Sequence, residues 1–336
     1  MLFVIHPQAM NGDEAVLDAL DSILARTESE VHDMEIIDAD LLEDSDWYKT
    51  SRQLRKKILE EVAQVSVYST SRKRGPHLHR TQVCDANSAT CARNIANTPL
   101  SVLVENDFSD GALVEAAIRV LAGMKTVALC FGDASQLDPP AFQIESGGGH
   151  GELPKRLRKH LAEAAKRGRP PRLVVIGDSD GEWQGDVKGH AVSIRAECHG
   201  SKIPCPPLNK RAAENYIPDA VWHAWAAEYP DMKPAVDALL RLSLEQRDYV
   251  KIGGANDEPW NRKTQEVAAL FNDVVNRDYN LLKHADLKGK AGKDKGAKMT
   301  IFSLIDHHKA LTPSAFKTRD RFEDIQTMVN QIEDEL

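Results

Sequence analysis

The chain has 336 residues, 42% hydrophobic and 28% charged, a balance that excludes global disorder and allows one large domain or two ordinary ones. Its formal charge of −8, from 43 basic and 51 acidic residues, excludes a uniformly basic nucleic-acid coat. No apolar run approaches the ~20 residues of a membrane helix, the opening MLFVIHPQAMNGDEAV lacks the pattern of a secretion signal, and the odd number of cysteines argues for reduced thiols, so the expectation is a cytoplasmic protein with no membrane attachment.

Residues 2–5 predict a strand, 13–25 an amphipathic helix and 48–63 a second helix. Residues 65–70 alternate and carry β-branched side chains, SRKRGP reads as a turn, and 77–83 as a return strand, with His77 and His79 on a solvated hairpin. From residue 99 the rhythm changes: short apolar runs each meet a glycine or acidic turn and then a helical pattern, as in βαβ units. Strands are expected at 101–104, 126–131, 141–144, 172–176 and 190–196, and helices at 111–121 and 153–166. After residue 220 helical periodicity dominates, at 220–229, 233–244, 264–281 and 320–332, broken by the glycine- and lysine-rich HADLKGKAGKDKGAK, which reads as a mobile loop. The expected architecture is α/β: an α/β lead domain over 1–96, a mostly parallel sheet core over 97–219 and a helical region over 220–336.

In open α/β sheets, functional atoms collect beyond the carboxyl ends of the strands. One expected strand ends in Glu105 and runs into NDFSDG, which adds Asp107 and Asp110; another ends in Asp178-Ser179-Asp180-Gly181-Glu182. Carboxylates gathered at one rim repel each other and raise each other's pKa unless a cation joins them. Hard oxygen donors suit Mg²⁺ or Mn²⁺, commonly held by carboxylates while it bridges a phosphate.

VLVENDFSDG, then the glycine turn SGGGHG after a strand, then VVIGDSDGE, in this order and at these separations, resembles the Toprim fold of topoisomerases, primases and overcoming-lysogenization-defect nucleases. LNKRAAENYIPD resembles the Arg-x-x-Glu-Asn-Tyr segment of Toprim-like nuclease subunits in bacterial antiphage systems. The likeness covers residues 99–219, and the two flanking regions carry no resemblance. It implies that Glu105 is a metal ligand or general acid/base and that Asp178 and Asp180 form a metal pair. Asp110 resembles the aspartate that follows the glutamate, with Asp107 a rival because the interval is one residue longer than the common pattern. Lys210 or Arg211 corresponds to a basic residue near the site, supported by Glu214, Asn215 and Tyr216. Gly148 and Gly149 lie in the glycine turn, Glu182 closes the acidic loop, and His150 stands where many relatives carry lysine.

The expectation is therefore a Mg²⁺- or Mn²⁺-dependent Toprim nuclease, an endonuclease or exonuclease of DNA or of RNA such as tRNA, serving antiviral defence in a bacterium. Hydrolysis is what remains, because no strand-passage domain and no zinc module accompany the core. The chain has no Walker-type loop, so control by ATP would need a separate ATPase partner, and the reading leaves room for an oligomer. Lys155, Arg156 and Lys159, with Arg158, put a basic helix just after the glycine turn, suited to a nucleic-acid backbone, as is Arg211; a simple solvated face is the rival account of the helix. The basic SRKRG is a second contact of the same kind. The alternatives are a non-catalytic Toprim-derived scaffold that binds nucleic acid or an ATPase, a Rossmann-like domain whose acids cap helices, and a phosphatase using Asp178 as nucleophile.

Other motifs take plainer readings. Cys84-x6-Cys91 and Cys198-x6-Cys205 are too widely spaced for structural zinc and read as free thiols. His307-His308 reads as surface, and Trp222 with Trp225 as helix packing.

Overall fold

The computed structural model describes residues 1–69, 80–149, 151–167, 171–252, 259–260, 263–284, 301, 305 and 311–336. The described residues are mixed α/β, 61% helical, with two three-stranded sheets. It divides into two compact units. One comprises Met1–Leu100, Met124–Gln143 and Asp334–Leu336, and the other Ser101–Gly123 and Ile144–Glu333. Residues 124–143 thus join the amino-terminal unit, while the helices after 219 share a unit with the acidic motifs. Among the described residues no helix is long and apolar enough to cross a membrane.

In the first unit, β1 (Leu2–Ile5) lies between β2 (Asp33–Ile36) and β3 (Arg80–Val83), both parallel to it. All four β1 residues are buried, as expected of a central parallel strand covered on both faces. The helix Glu14–Glu28 starts where Asp13 accepts a hydrogen bond from Val16 N, and it buries Val16, Ala19, Leu20, Ile23 and Leu24 at helical spacing. The helix Ala86–Ala96 packs against it, capped by reciprocal hydrogen bonds between Asp85 and Ser88.

Three expected strands are helices. Residues 65–69 complete the helix Gln53–Ser69: Ser66 is buried, its Oγ donating to Val62 O (2.8 Å) and accepting from Ile36 N (3.0 Å), while Val65 and Val67 face solvent. The Val-Ser-Val alternation is incidental, because a helix already propagating adds residues cheaply. Residues 126–131 belong to the helix Met124–Phe131, whose buried Thr126, Leu129 and Cys130 stand three and four apart. Residues 190–196 lie in the helix Gly189–Gly200, where Ala191, Ile194 and Cys198 form the buried stripe. A short apolar run fits either period, and packing partners decide. The basic 72–74 run, His77, His79, residues 288–298 and His307-His308 lie outside the described residues.

The second sheet has the order β5-β4-β6, with β4 at Leu100–Val104, β5 at Phe142–Ser146 and β6 at Leu173–Ile176. β4 and β6 are parallel and fully buried, with Val104 opposite Ile176. Both strands therefore deliver the chain to the same edge of the sheet. In the carboxyl-terminal half, Trp222 and Trp225 are buried edge to face at 6.1 Å, so they are packing residues.

Candidate active site at the strand tips

The register of β4 and β6 makes Glu105 and Gly177-Asp178 the first residues past two neighbouring strand ends. Glu105 is buried, and a Cβ built on Gly177 would lie 4.0 Å from its Oε1, so the glutamate folds over the neighbouring strand's exit. From Asn106 the chain enters a π-turn, Asp107–Gly111. Within it Asp110 is buried, its carboxylate accepting from Asn106 N and Ser109 Oγ, each at 3.0 Å. Asp107 stays exposed and accepts from Phe108 N at 3.1 Å. Of the two rival aspartates, Asp110 is the one that faces Asp178.

Burial pushes the Asp178 carboxyl well above the usual carboxylate range, and Asp110, Glu214, Glu105 and Asp180, in falling order, push it further by like charge. Side chains spread over more than a hundred positions of sequence thus share one low-dielectric neighbourhood. Glu214 belongs to that group: the 3₁₀ turn Ala213–Tyr216 packs against the π-turn and buries it there.

The Asp178–Glu182 loop is held by main-chain contacts. Ser179 Oγ donates to Lys210 O (2.7 Å), Asp180 N to Arg211 O (3.0 Å), and Lys188 N to Ser179 O (3.0 Å). Asp180 adopts φ +50°, a left-handed conformation rare outside glycine and tolerated by aspartate. Its Oδ2 lies 3.0 Å from His190 Nε2. A Cβ on Gly181 would come within 2.1 Å of Asp186 O, so only glycine passes this point without moving backbone. Glu182 pairs with Lys263 (2.6 Å) and Arg211 (3.3 Å); burial opposes its ionisation, but those two cations hold it below the usual range.

The glycine turn closes over Glu105. Gly147 N donates to Val104 O (2.6 Å) and Gly149 N to Glu105 O (2.9 Å), with Gly148 and Gly149 at φ +83° and +93°. Leu153 N then bonds Gly149 O (3.0 Å) and opens the basic helix Leu153–Lys166 beside the turn. On that helix Lys155 pairs with Glu152 (2.6 Å), Arg158 with Glu197 (3.0 Å) and Lys159 with Glu163 (3.9 Å), and Arg156 is exposed. His150 lies outside the described residues.

Lys210 does not occupy the place the sequence suggests. Its ammonium is wholly buried, 3.1 Å from Asp248 Oδ1 and 4.7 Å from the Tyr216 ring centroid, and it donates to the carbonyls of Arg319 and Asn215. Burial and the Arg319 charge pull it down to about 8 against the attraction of Asp248. A lysine so enclosed cannot meet a phosphate, and what it gives the site is its carbonyl, the acceptor for Ser179. Arg211 is likewise turned inward to Glu182 and Tyr249 O (3.4 Å) rather than to a nucleic acid. Asn215 donates to Arg247 O (2.7 Å) and Val250 O (3.0 Å), and Tyr216 OH donates to Asp324 (2.5 Å), so both brace the turn that carries Glu214.

Sequence reasoning placed Glu214 among supporting residues and gave no place to His190, Lys263 or Asp248. His190 was hidden by the strand reading of its segment, and the other two reach the loops over long stretches of chain that leave no local pattern.

The charged groups that raise Asp178 are carboxylates, whose oxygens suit a hard divalent ion, and the charge of such an ion would remove the repulsion on that residue. Among the described residues no three or more His, Cys, Asp or Glu side chains stand at metal-ligand geometry. No family model, curated protein or solved structure matches the chain.

Proposed function

We propose that the chain is a divalent-metal-dependent nuclease with a Toprim-like core, hydrolysing phosphodiester bonds of DNA or RNA. One observation carries the reading: buried Asp178, at a parallel strand tip, is faced by four further carboxylates, Asp110, Glu214, Glu105 and Asp180. A charge arrangement that opposes folding persists where function uses it. Glu105, Asp110, Asp178 and Asp180, with Glu214, would hold Mg²⁺ or Mn²⁺. When bound, such an ion supplies charge stabilisation for the phosphoryl oxygens and a water more easily deprotonated at neutral pH.

The chain's own groups do the rest. Glu105 is placed to take a proton from an attacking water on its carboxylate oxygens. His190, whose Nε2 lies against Asp180, would carry a proton on its other ring nitrogen, Nδ1, towards the leaving oxygen, with Asp180 orienting the ring. The glycine turn keeps the Glu105 main chain in place, and the amino terminus of the basic helix beside it favours an approaching phosphate, with Lys155, Arg156 and Lys159 following the backbone. Service in bacterial antiphage defence, and control by a separate ATPase, rest on the resemblance of the motifs; co-elution with the neighbouring gene's product on size exclusion tests the partner.

The deciding assay offers plasmid, linear DNA and tRNA with Mg²⁺ or Mn²⁺ to the wild type, Asp178→Ala and Glu105→Ala. Metal-dependent cutting is expected from the wild type alone. Cutting that survives both substitutions places the chemistry elsewhere. That no ligand-ready group stands among the described residues favours a second reading, a scaffold that binds nucleic acid without cutting. Binding by all three proteins with cleavage by none would select it.

A further inference from the structure

The thiols of Cys198 and Cys205 hydrogen-bond to one another within one apolar cluster of the second unit, outside the acid rim. The turn between them brings this about. At the end of the helix Gly189–Gly200, Ile203 N bonds Cys198 O (2.9 Å) and Lys202 N bonds His199 O (3.2 Å), with Lys202 at φ +56°. This is a Schellman closure with lysine in the place usually held by glycine. It folds the chain back, so that Pro204 O reaches the edge of β6 and accepts from Val175 N (3.0 Å).

The two sulfurs are unequal. Cys198 is wholly buried and Cys205 partly open to solvent. The hydrogen bond from Cys198 draws Cys205 below the usual thiol range, with help from the Arg195 charge, while the same bond and burial push Cys198 up. Arg195 is pinned nearby, its Nη2 donating to Leu208 O (2.9 Å). A partly exposed cysteine whose thiol is drawn below the usual range, hydrogen-bonded to a shielded partner thiol, is the layout of a peroxide-reactive pair.

We propose that Cys198 and Cys205 form a redox-active dithiol that reduces hydrogen peroxide and closes to a reversible intramolecular disulfide. The Cys205 thiolate attacks one peroxide oxygen; the O–O bond breaks, the departing hydroxide takes a proton to become water, and Cys205 is left as a sulfenic acid. Cys198 sulfur then attacks Cys205 sulfur; the S–O bond breaks, the Cys198 proton leaves with the hydroxide as a second water, and the disulfide forms. Two thiols are oxidised and one peroxide is reduced to two waters.

The test treats the reduced wild-type protein with an equimolar amount of hydrogen peroxide. Titratable thiols should fall from five to three, the mass should drop by about 2 Da, and dithiothreitol should restore both. Trypsin cuts after Lys202, so the disulfide appears as two peptides joined only without reductant. Cys198→Ser should halt at a Cys205 sulfenic acid captured by dimedone. The proposal is overturned if the joined pair is absent from oxidised wild type, or if Cys84 and Cys91, also partly open to solvent, react as fast as Cys205.

Discussion

Two buried aspartates of the second unit, Asp178 and Asp248, meet opposite electrostatic surroundings. Asp248 is wholly buried and compensated three times, by Arg319 (2.5 Å), Arg321 (2.7 Å) and Lys210 (3.1 Å). Asp178 is buried among Asp110, Glu214, Glu105 and Asp180, and burial and its neighbours alike raise it. The first arrangement satisfies its charge within the fold, as a buried ion pair must. The second leaves charge for something outside the fold to satisfy. Yet the two are joined: Arg211 N donates to Asp248 O (3.0 Å), and Arg211 O accepts from Asp180 N (3.0 Å).

The sharpest break in this contrast is Asp178→Asn. If the rim is catalytic, nuclease rate should fall on the order of 10³-fold, about 4 kcal/mol of barrier, while the melting temperature without divalent ions should not fall, because a like charge has been removed. Asp248→Ala should do the reverse. It strands Arg319 and Lys210 and should cost ~3–5 kcal/mol of folding free energy, read by urea denaturation.

Lys210→Met is expected to cost less, about 1–2 kcal/mol, because Asp248 keeps both arginines; cleavage within a few-fold of wild type would sustain the structural role given to this lysine. Its pH signature has a definite sign. Lys210 is drawn down to about 8 in the fold, so the unfolded chain binds more protons between about pH 8 and the ordinary lysine value near ~10.4. Over that window wild-type stability should climb relative to Lys210→Met, and the gain is lost as pH falls through about 8. A wild type that shows no such relative climb would mean the ammonium is not desolvated. The smallest effect belongs to Lys155→Ala, whose exposed pair with Glu152 is worth under ~1 kcal/mol. Stability should hardly change, while the salt dependence of nucleic-acid binding should weaken by about one phosphate contact.

What could be read beforehand divides along physical lines. β4 and β6 were legible because strands buried on both faces are continuous apolar runs, and the acids past their ends follow from the general behaviour of parallel sheets. Residues 126–131 and 190–196 were misread because four or five apolar and β-branched positions fit both periods, and only the stripe that packing buries separates them. At the site, sequence could nominate Glu105, Asp110, Asp178 and Asp180 but could not choose between Lys210 as phosphate contact and Lys210 as buried counter-ion. That choice belongs to Asp248, Arg319 and Asp324, whose contacts with residues 209–216 span 37 to 115 positions and have no local signature.

Asn209 and Tyr216 are tied to Asp324 across 115 and 108 positions. Closing spans of that length costs entropy that local helices do not bear, so these ties belong to the late steps of folding. Amide hydrogens around residue 214 and those of the helix Asp324–Glu335 should accordingly exchange with a common opening free energy, which native-state hydrogen exchange would read. The shape of the acidic rim thus depends on a clasp formed by the far end of the described chain.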